Sequence, residues 1–230
     1  MEKLIYLAWK RPTLSIDAYR RHLLEELPGS LLDAGARRLD VNVSDLLGTL
    51  GKPMLLMGEG TSLSAAVSLW LDCYDTRAAV EALLRAQAER VDGYLVTESV
   101  PQACPDRDWP DGARSPGVTH FTWFEKPAAI TDEEFFRAWH ELHTPFSFEL
   151  HPRRWSYVRN SVTRPLTPGS PPIRAIVAER FRVLEDYTDP KRLFGSKEVL
   201  ARSAAEVAHY ADPTRLHSAP LSEFILHSSD

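Results

Sequence analysis

Residues 131–145, with the sequence TDEEFFRAWHELHTP, decide the fold of this chain; the surrounding segment, 117–159, reads strand, helix, strand. Thr131 is placed to cap a helix, and Glu134 follows three residues later. The pattern predicts an amphipathic helix over Asp132–His143. Its apolar residues recur at steps of three and four, the period of one helix face: Phe135, Phe136, Trp139 and Leu142.

The same pattern occurs earlier in the chain. The turn residues Pro12 and Pro127 lie 115 positions apart, and Arg37 and Arg153 lie 116 positions apart. Between each pair of anchors lies a predicted helix, followed by a basic run that reads as a strand. Because a repeat of this length is a whole folding unit, the sequence predicts two similar halves.

Each half reads β-α-β-β-α-β, the ferredoxin-like split unit. In the first half these elements are predicted at Leu4–Trp9, Ser15–Leu32, Ala36–Val43, Ala65–Cys73, Thr76–Arg90 and Gly93–Ser99. In the second half they are predicted at Val118–Phe124, Asp132–His143, Arg154–Arg159, Ile173–Val183, Ser196–Tyr210 and Ser222–Leu226.

The segments between these elements are rich in glycine and proline. Residues 44–64 and 163–172 are predicted loops, each between the second and third strands of its half. The proline-rich run 101–116 is a predicted linker, because proline removes amide donors. We therefore expect one repeat at 1–100 and a second, carrying the candidate site, at 117–230.

A single unit of this kind leaves one sheet face bare, because both helices pack on the other face. Two units can close their bare faces into one barrel, so the predicted fold class is α+β, an intrachain α+β barrel with helices outside. We expect the barrel interior to hold a ligand cavity. Strand alternation over Val118–Phe124 puts His120, Thr122 and Phe124 on one face. The other face carries aromatic residues that suit helix packing, so His120 and Thr122 are predicted to line the cavity.

Composition indicates an ordinary soluble protein. The 230 residues include 43% hydrophobic ones and carry a net charge of −5. The acidic balance, without a basic patch, predicts no nucleic-acid partner. No apolar run approaches membrane-spanning length, and the N-terminus lacks a signal-peptide pattern, so we expect a cytoplasmic protein without membrane contact. Cys73 and Cys104 are too few for a disulfide framework and receive no role.

Histidine is the side chain best suited to move a proton near neutral pH. His140 and His143 are three apart on the predicted helix and could hold a metal if a third ligand joined them, but the sequence contains no complete ligand set. His143 either fixes the helix end or serves in catalysis. His120 lies in mid-strand, where an unpaired buried polar group costs roughly a few kcal/mol. It is therefore either a hydrogen-bonded structural residue or a catalytic one.

The strand ending in Lys-Pro, followed by T-D-E-E-F-x-x-x-W-x-x-x-H-x-P, resembles the EthD domain of the dimeric α+β barrel superfamily. Trp139, His143 and Pro145 match that motif. In the first half Leu23 and Leu27 replace the tryptophan and the histidine. The strand that begins at Val118 is also similar to the first strand of plant polyketide cyclases, whose cavity histidine corresponds to His120.

The resemblance implies a wide range of activities: cofactor-free cyclases, decarboxylases and dehydratases, small monooxygenases and haem-binding enzymes. We expect a cofactor-independent lyase, cyclase or dehydratase acting on a hydrophobic aromatic or polyketide-like small molecule. In it His120 or His143 removes a proton beside a carbonyl, and Tyr157 or an arginine holds the enolate oxygen. The alternatives are a non-catalytic binding or accessory protein, and a haem-binding or monooxygenase member. No cofactor is expected, and a homodimer is compatible with the superfamily.

The remaining candidates are substrate-binding residues. Arg154 can hold an anion through two hydrogen bonds, or it is a surface charge. Trp155 and Tyr157 share one strand face, where they either stack on a planar substrate or pack beneath a helix. With His120 and His143 as the catalytic pair, the predicted substrate-binding set is Thr122, Phe124, Trp139, His140, Arg154, Trp155, Tyr157, Tyr210 and His217.

Overall fold

The computed structural model describes residues 1–50, 53, 55–105 and 107–228. Strands of the first half are β1 (Glu2–Lys10), β2 (Leu39–Val43), β3 (Ala65–Leu71) and β4 (Ala88–Gln102). Its helices are α1 (Ile16–Arg21), α2 (Leu27–Asp33), α3 (Leu47–Leu50) and α4 (Ala78–Arg85), and a π-helical segment, His22–Glu26, joins α1 to α2. Short 3₁₀ turns lie at Gly58–Thr61 and Tyr74–Thr76.

The second half has the same order of strands and main helices. Its strands are β5 (Val118–Phe124), β6 (Ser156–Pro165), β7 (Ala175–Phe181) and β8 (Leu216–His227). Its helices are α5 (Asp132–Phe136), α6 (Thr144–Leu150), α7 (Leu184–Thr188), α8 (Pro190–Phe194) and α9 (Lys197–Val207). The π-helical segment Arg137–His143 joins α5 to α6.

The eight strands form one closed antiparallel barrel in the order β1-β3-β2-β8-β5-β7-β6-β4. Each half supplies four neighbouring strands, and the halves meet where β2 pairs with β8 and β4 pairs with β6. Closure leaves no free sheet edge. The predicted intrachain α+β barrel is confirmed.

The barrel interior is a packed apolar core, and the prediction of a ligand cavity inside it is wrong. Phe121 and Trp123 point inward and pack with apolar residues of both halves. His120 and Thr122 lie on the outer face, beneath the helices of the second half. Strand alternation grouped these residues correctly. The face predicted to meet the helices, with Phe121 and Trp123, lies inside the barrel, and the face predicted to line the interior, with His120 and Thr122, meets the helices. The large aromatic rings fill the wide space at the barrel centre, which accounts for the inversion.

The helix over residues 131–145 begins as its sequence predicts. Thr131 Oγ1 accepts a hydrogen bond from the Glu134 N–H at 3.2 Å, and Glu134 Oε2 accepts one from the Thr131 N–H at 2.8 Å. This is the reciprocal capping box. The helix does not end at His143, as expected, but continues to Leu150. Pro145 lies directly after the π-helical segment Arg137–His143, whose widened turn accommodates a residue without a backbone N–H.

Several other boundaries differ from the predictions. β4 begins at Ala88, within the predicted helix Thr76–Arg90, and it continues to Gln102, two residues into the proline-rich run. Helices α7 and α8 were not predicted. Among the described residues no helix has the length and apolar character needed to cross a membrane.

Candidate functional site

The candidate site is a cavity between the outer face of the second half's sheet and its helical layer. The cavity has a volume of about 140 Å³. An engineered protein cavity of roughly 150 Å³ binds benzene, so this space holds about one aromatic ring. Seven of the sequence-predicted residues line it: His120, Thr122, Phe124, Trp139, His143, Tyr157 and Tyr210.

The floor of the cavity is a row of three side chains on adjacent strands. His120 of β5 lies directly opposite Glu179 of β7, and Glu179 lies opposite Tyr157 of β6. Side chains opposite one another on neighbouring antiparallel strands come within contact distance. The row therefore brings an imidazole, a carboxylate and a phenol together beneath the helices.

His120 is 5% exposed and hydrogen-bonded on both sides of its ring. Its Nε2 lies 3.0 Å from Thr122 Oγ1, and its Nδ1 lies 3.4 Å from the Tyr187 hydroxyl. Burial lowers the pKa of His120 to about 4, although the nearby Glu179 carboxylate opposes the shift. The imidazole is therefore neutral at pH 7 and able to accept a proton.

Glu179 is a buried carboxylate that the sequence analysis did not single out. Arg154 Nη1 donates a hydrogen bond to its Oε1. Burial alone would raise the pKa of the Glu179 carboxyl, but His151, Arg154 and His120 lower it well below its ordinary value. The available signal was a Glu-Arg pair near the end of an apolar strand, where an ionised side chain requires a partner.

Arg154 lies behind the cavity and holds Glu179 in place. Its Nε donates to Gln102 Oε1 and its Nη2 donates to Ser147 Oγ, both at 3.0 Å. Its guanidinium also lies 4.2 Å from the centre of the Tyr157 ring. Three protein side chains hold the guanidinium, so Arg154 positions the carboxylate, and it does not line the cavity.

The π-helical segment supplies the roof. It places Trp139 and His143 on the side of the helix that faces the sheet, and both are buried. The first half has a π-helical segment at the same place, His22–Glu26, so this widened turn belongs to the fold. In the first half Leu23 and Leu27 occupy the matching positions and are also buried.

His143 is 9% exposed, and its ring lies 4.9 Å from that of Tyr210. Burial lowers the pKa of His143 to about 4. Its Nδ1 lies 3.7 Å from Glu206 Oε2, beyond hydrogen-bond distance. Burial also raises the pKa of the Glu206 carboxyl.

His151 is a further lining residue that sequence reasoning missed. It follows α6 directly, and its Nδ1 lies 2.9 Å from the Leu193 carbonyl oxygen. Burial lowers the pKa of His151 as well. It was overlooked because the predicted helix ended at His143, which left residues 144–153 without an assigned position.

Three tyrosines of the site stay neutral and can donate hydrogen bonds: Tyr157 and Tyr210, which line the cavity, and Tyr187, which contacts His120. Burial, followed by the charge of Glu179, raises the pKa of Tyr157 to about 12. Burial also raises the pKa values of Tyr187 and Tyr210. A phenol that stays protonated can donate a hydrogen bond to an oxygen on which negative charge develops.

The first half has no comparable row. Leu4, the third residue of β1 as His120 is of β5, lies opposite Leu69, and Leu69 lies opposite Leu39. All three leucines are 0% exposed and belong to one apolar core. The row of ionisable side chains is therefore found on the strands of the second half, and the matching row of the first half is apolar.

The first half nevertheless contributes one wall of the cavity. Leu55 and Met57, from the loop between β2 and β3, line it. Met57 and Ser218 of β8 exchange backbone hydrogen bonds at 3.0 and 3.1 Å. The cavity is thus completed by a segment from the opposite half.

Three predicted binding residues lie elsewhere. His140 packs against the rings of Phe136 and Trp139 and does not line the cavity; its pKa falls to about 4 through burial and the charge of Arg159. His217 Nδ1 accepts a hydrogen bond from the Glu59 N–H at 3.1 Å, and its ring lies 5.4 Å from the ring of Trp123 in the barrel interior. The ring centre of Trp155 lies 5.5 Å from that of Trp109, a residue of the proline-rich run.

The described part of the chain contains no group of three or more His, Cys, Asp or Glu residues arranged to hold a metal ion. The histidine side chains of the site instead contact tyrosines, a threonine and a backbone carbonyl. What the arrangement can do by itself is accept, donate and hold protons.

No protein-family model matches the sequence, and no curated protein matches it. Solved structures do. One, from Fusobacterium nucleatum and provisionally called a monooxygenase, shares 7% identity with a TM-score of 0.54, covering 100% of this chain and 93% of its own. Another, called anthrone oxidase-like, shares 10% identity with a TM-score of 0.54, covering 99% and 93%. At identities of 7% and 10%, the likeness shows a shared fold and nothing further.

Proposed function

We propose that this protein is a cofactor-independent enzyme that transfers protons within a small hydrophobic aromatic substrate, as a lyase, cyclase or dehydratase. The observation that carries the proposal is the row of His120, Glu179 and Tyr157 beneath a cavity of one-ring size. A buried neutral imidazole beside a carboxylate and protonated phenols is a set suited to proton abstraction.

In the proposed reaction, neutral His120 takes a proton from a carbon next to a substrate carbonyl. The electron pair moves to the carbonyl oxygen, which becomes an enolate and receives a hydrogen bond from a tyrosine hydroxyl. Glu179 stabilises the imidazolium that forms. His120 then returns the proton, either to another carbon or to a departing hydroxyl group, which leaves as water.

The size of the cavity limits the substrate. About 140 Å³ accommodates one ring, so a single-ring compound fits better than a multi-ring polyketide. The same limit opposes a haem-binding function, because a porphyrin is several times larger than one ring. An absorbance spectrum of the purified protein tests that alternative directly.

The proposal is tested by hydrogen–deuterium exchange at the carbon beside the carbonyl of a single-ring ketone such as phenylacetone, followed by NMR in D₂O. We expect the protein to accelerate exchange and His120→Gln to reduce the acceleration by about 10²–10⁴-fold, the usual contribution of a positioned base. His209→Gln is the matched control, since His209 is an exposed histidine of the same half. Equal rates for wild type and His120→Gln would refute the proposal. Ring compounds that bind without exchange would instead favour a carrier or accessory protein.

A second candidate is oxygenation without a cofactor, because removal of a proton from a phenol or enol gives an electron-rich anion that can react with oxygen. The names of both structural neighbours point to oxidation. An oxygen electrode separates the candidates: oxygen consumed in proportion to substrate supports oxygenation, and exchange without oxygen uptake supports the lyase class.

The finer relationships are also proposals. We infer an EthD-type relationship and a division into repeats at 1–100 and 117–230 joined by residues 101–116. Support comes from Trp139 and His143, which match the EthD motif and both line the cavity, and from the four neighbouring barrel strands in each half.

A further inference from the structure

His143 and Glu206 form a second polar pair at the cavity, and the proton-transfer step does not use it. His143 Nδ1 and Glu206 Oε2 are both shielded from solvent, and neither has a hydrogen-bond partner among the described residues. They lie 3.7 Å apart, too far for a mutual hydrogen bond. Buried polar atoms in folded proteins are normally paired, so this pair requires an explanation.

Aromatic rings flank the His143 imidazole. His143 packs between the rings of Tyr210, at 4.9 Å, and Phe146, at 6.4 Å. His143 lines the cavity, as do Ser203 and Val207, which flank Glu206 in α9. Glu206 itself does not line the cavity, but its Oε2 lies 3.7 Å from His143 Nδ1, so a group hydrogen-bonded to that nitrogen comes close to the carboxylate.

The chemistry of the two atoms selects the group that can pair with both. A hydroxyl accepts a hydrogen bond from an imidazole N–H and donates one to a carboxylate. A ketone oxygen only accepts and would leave Glu206 unpaired. A ligand carboxylate also only accepts, and its charge would repel that of Glu206.

We propose that His143 and Glu206 bind a hydroxyl group of the substrate, so that the cavity takes a single-ring phenol or related hydroxylated aromatic compound. This rests on the proposed function and names its substrate class. His143 then orients the ring, and His120 on the opposite, sheet side of the cavity acts on it.

The test compares the binding of phenol, toluene and benzoate by isothermal titration calorimetry. We expect phenol to bind about tenfold to hundredfold more tightly than toluene, since toluene leaves two buried polar atoms unpaired. Benzoate should bind more weakly than phenol. Glu206→Leu should remove the preference for phenol while toluene still binds, which also shows that the cavity persists. Glu198→Leu, at an exposed glutamate of α9, is the matched control and should keep the preference.

Three results would overturn this inference: equal affinity for phenol and toluene, a phenol preference that survives Glu206→Leu, or no binding of either compound. Equal affinity would mean that the pair is bridged by water alone. The exchange assay uses a ketone without a hydroxyl group and depends on His120, so its failure removes the proposed reaction but leaves the phenol preference measurable. Conversely, exchange can persist when the preference is absent.

Discussion

Acid should destabilise this protein through its buried histidines, which folding holds in the neutral form. His120 is held neutral by burial, with a pKa of about 4 in the folded chain against an ordinary value of 6.5. Between these values the unfolded chain binds more protons than the folded one, so the free energy of unfolding falls as the pH falls. The full difference corresponds to roughly 3 kcal/mol for one histidine.

The perturbation that isolates this contribution is His120→Gln, which keeps a hydrogen-bonding side chain but cannot take up the proton. From about pH 7.5 to about pH 4.5, His120 should account for roughly 2–3 kcal/mol of stability lost by wild type. His143 adds a loss of similar size that both proteins share, because burial lowers its pKa to about 4 as well. Asp40 acts in the opposite direction in both proteins, because burial raises the pKa of its carboxyl to about 7.

The measurement is urea denaturation of wild type and variant at both pH values, compared through the change in unfolding free energy with pH. The change in unfolding free energy between the two pH values is compared, and not the free energy at one pH, because His120→Gln also changes hydrogen bonds at neutral pH. We expect the variant to lose roughly 2–3 kcal/mol less than wild type, and His209→Gln to follow wild type. If wild type and His120→Gln lose the same amount, then His120 is not held neutral by burial, and the reasoning fails.

Two further predictions concern stability. Arg154→Met should lower the free energy of unfolding, measured by urea denaturation, by about 3–5 kcal/mol, because it leaves the buried carboxylate of Glu179 without its cation. The same change at the exposed Arg153 should cost less than about 0.5 kcal/mol. Equal effects would show that the pair does not hold Glu179. Gly60→Ala should lower the melting temperature, because the new Cβ would lie 1.7 Å from a backbone oxygen of β8. Gly48→Ala, in α3 with no atom within 4 Å of the new Cβ, should be neutral or add up to about 1 kcal/mol to the free energy of unfolding. A Gly60→Ala variant that melts like wild type would contradict the close approach of the β2–β3 loop to β8.

The barrel could be predicted because its information is local. The capping box at Thr131, the helical period that follows it and the proline-rich breaks each act over a few residues. The closed order of strands then follows from two units that each need cover for one sheet face.

The sides of the sheet could not be predicted. Alternation shows that His120 and Thr122 share a face, but both faces of β5 are buried, so hydrophobicity does not show which one meets the helices. The aromatic pair Phe121 and Trp123 suits either position. The outcome depends on how much volume the barrel centre must fill, and this is a property of all eight strands.

The cavity was only half visible in the sequence for a similar reason. The motif residues Trp139 and His143 were found because they lie in one short helix. Glu179 and Glu206 were missed because their neighbours in the fold, Arg154 and His143, lie 25 and 63 positions away, and no local pattern identifies such distant neighbours. The helix extension through Pro145 also concealed His151.

The contrast between the strands of the first half and those of the second half has a consequence for how such a protein can change by mutation. In a barrel assembled from two identical subunits, a mutation that installs a charged group does so on both sides at once. Here the leucine row of Leu4, Leu69 and Leu39 can supply cohesion while the opposite sheet accepts groups that weaken it. The single chain thereby separates the part that maintains the architecture from the part free to acquire new chemistry.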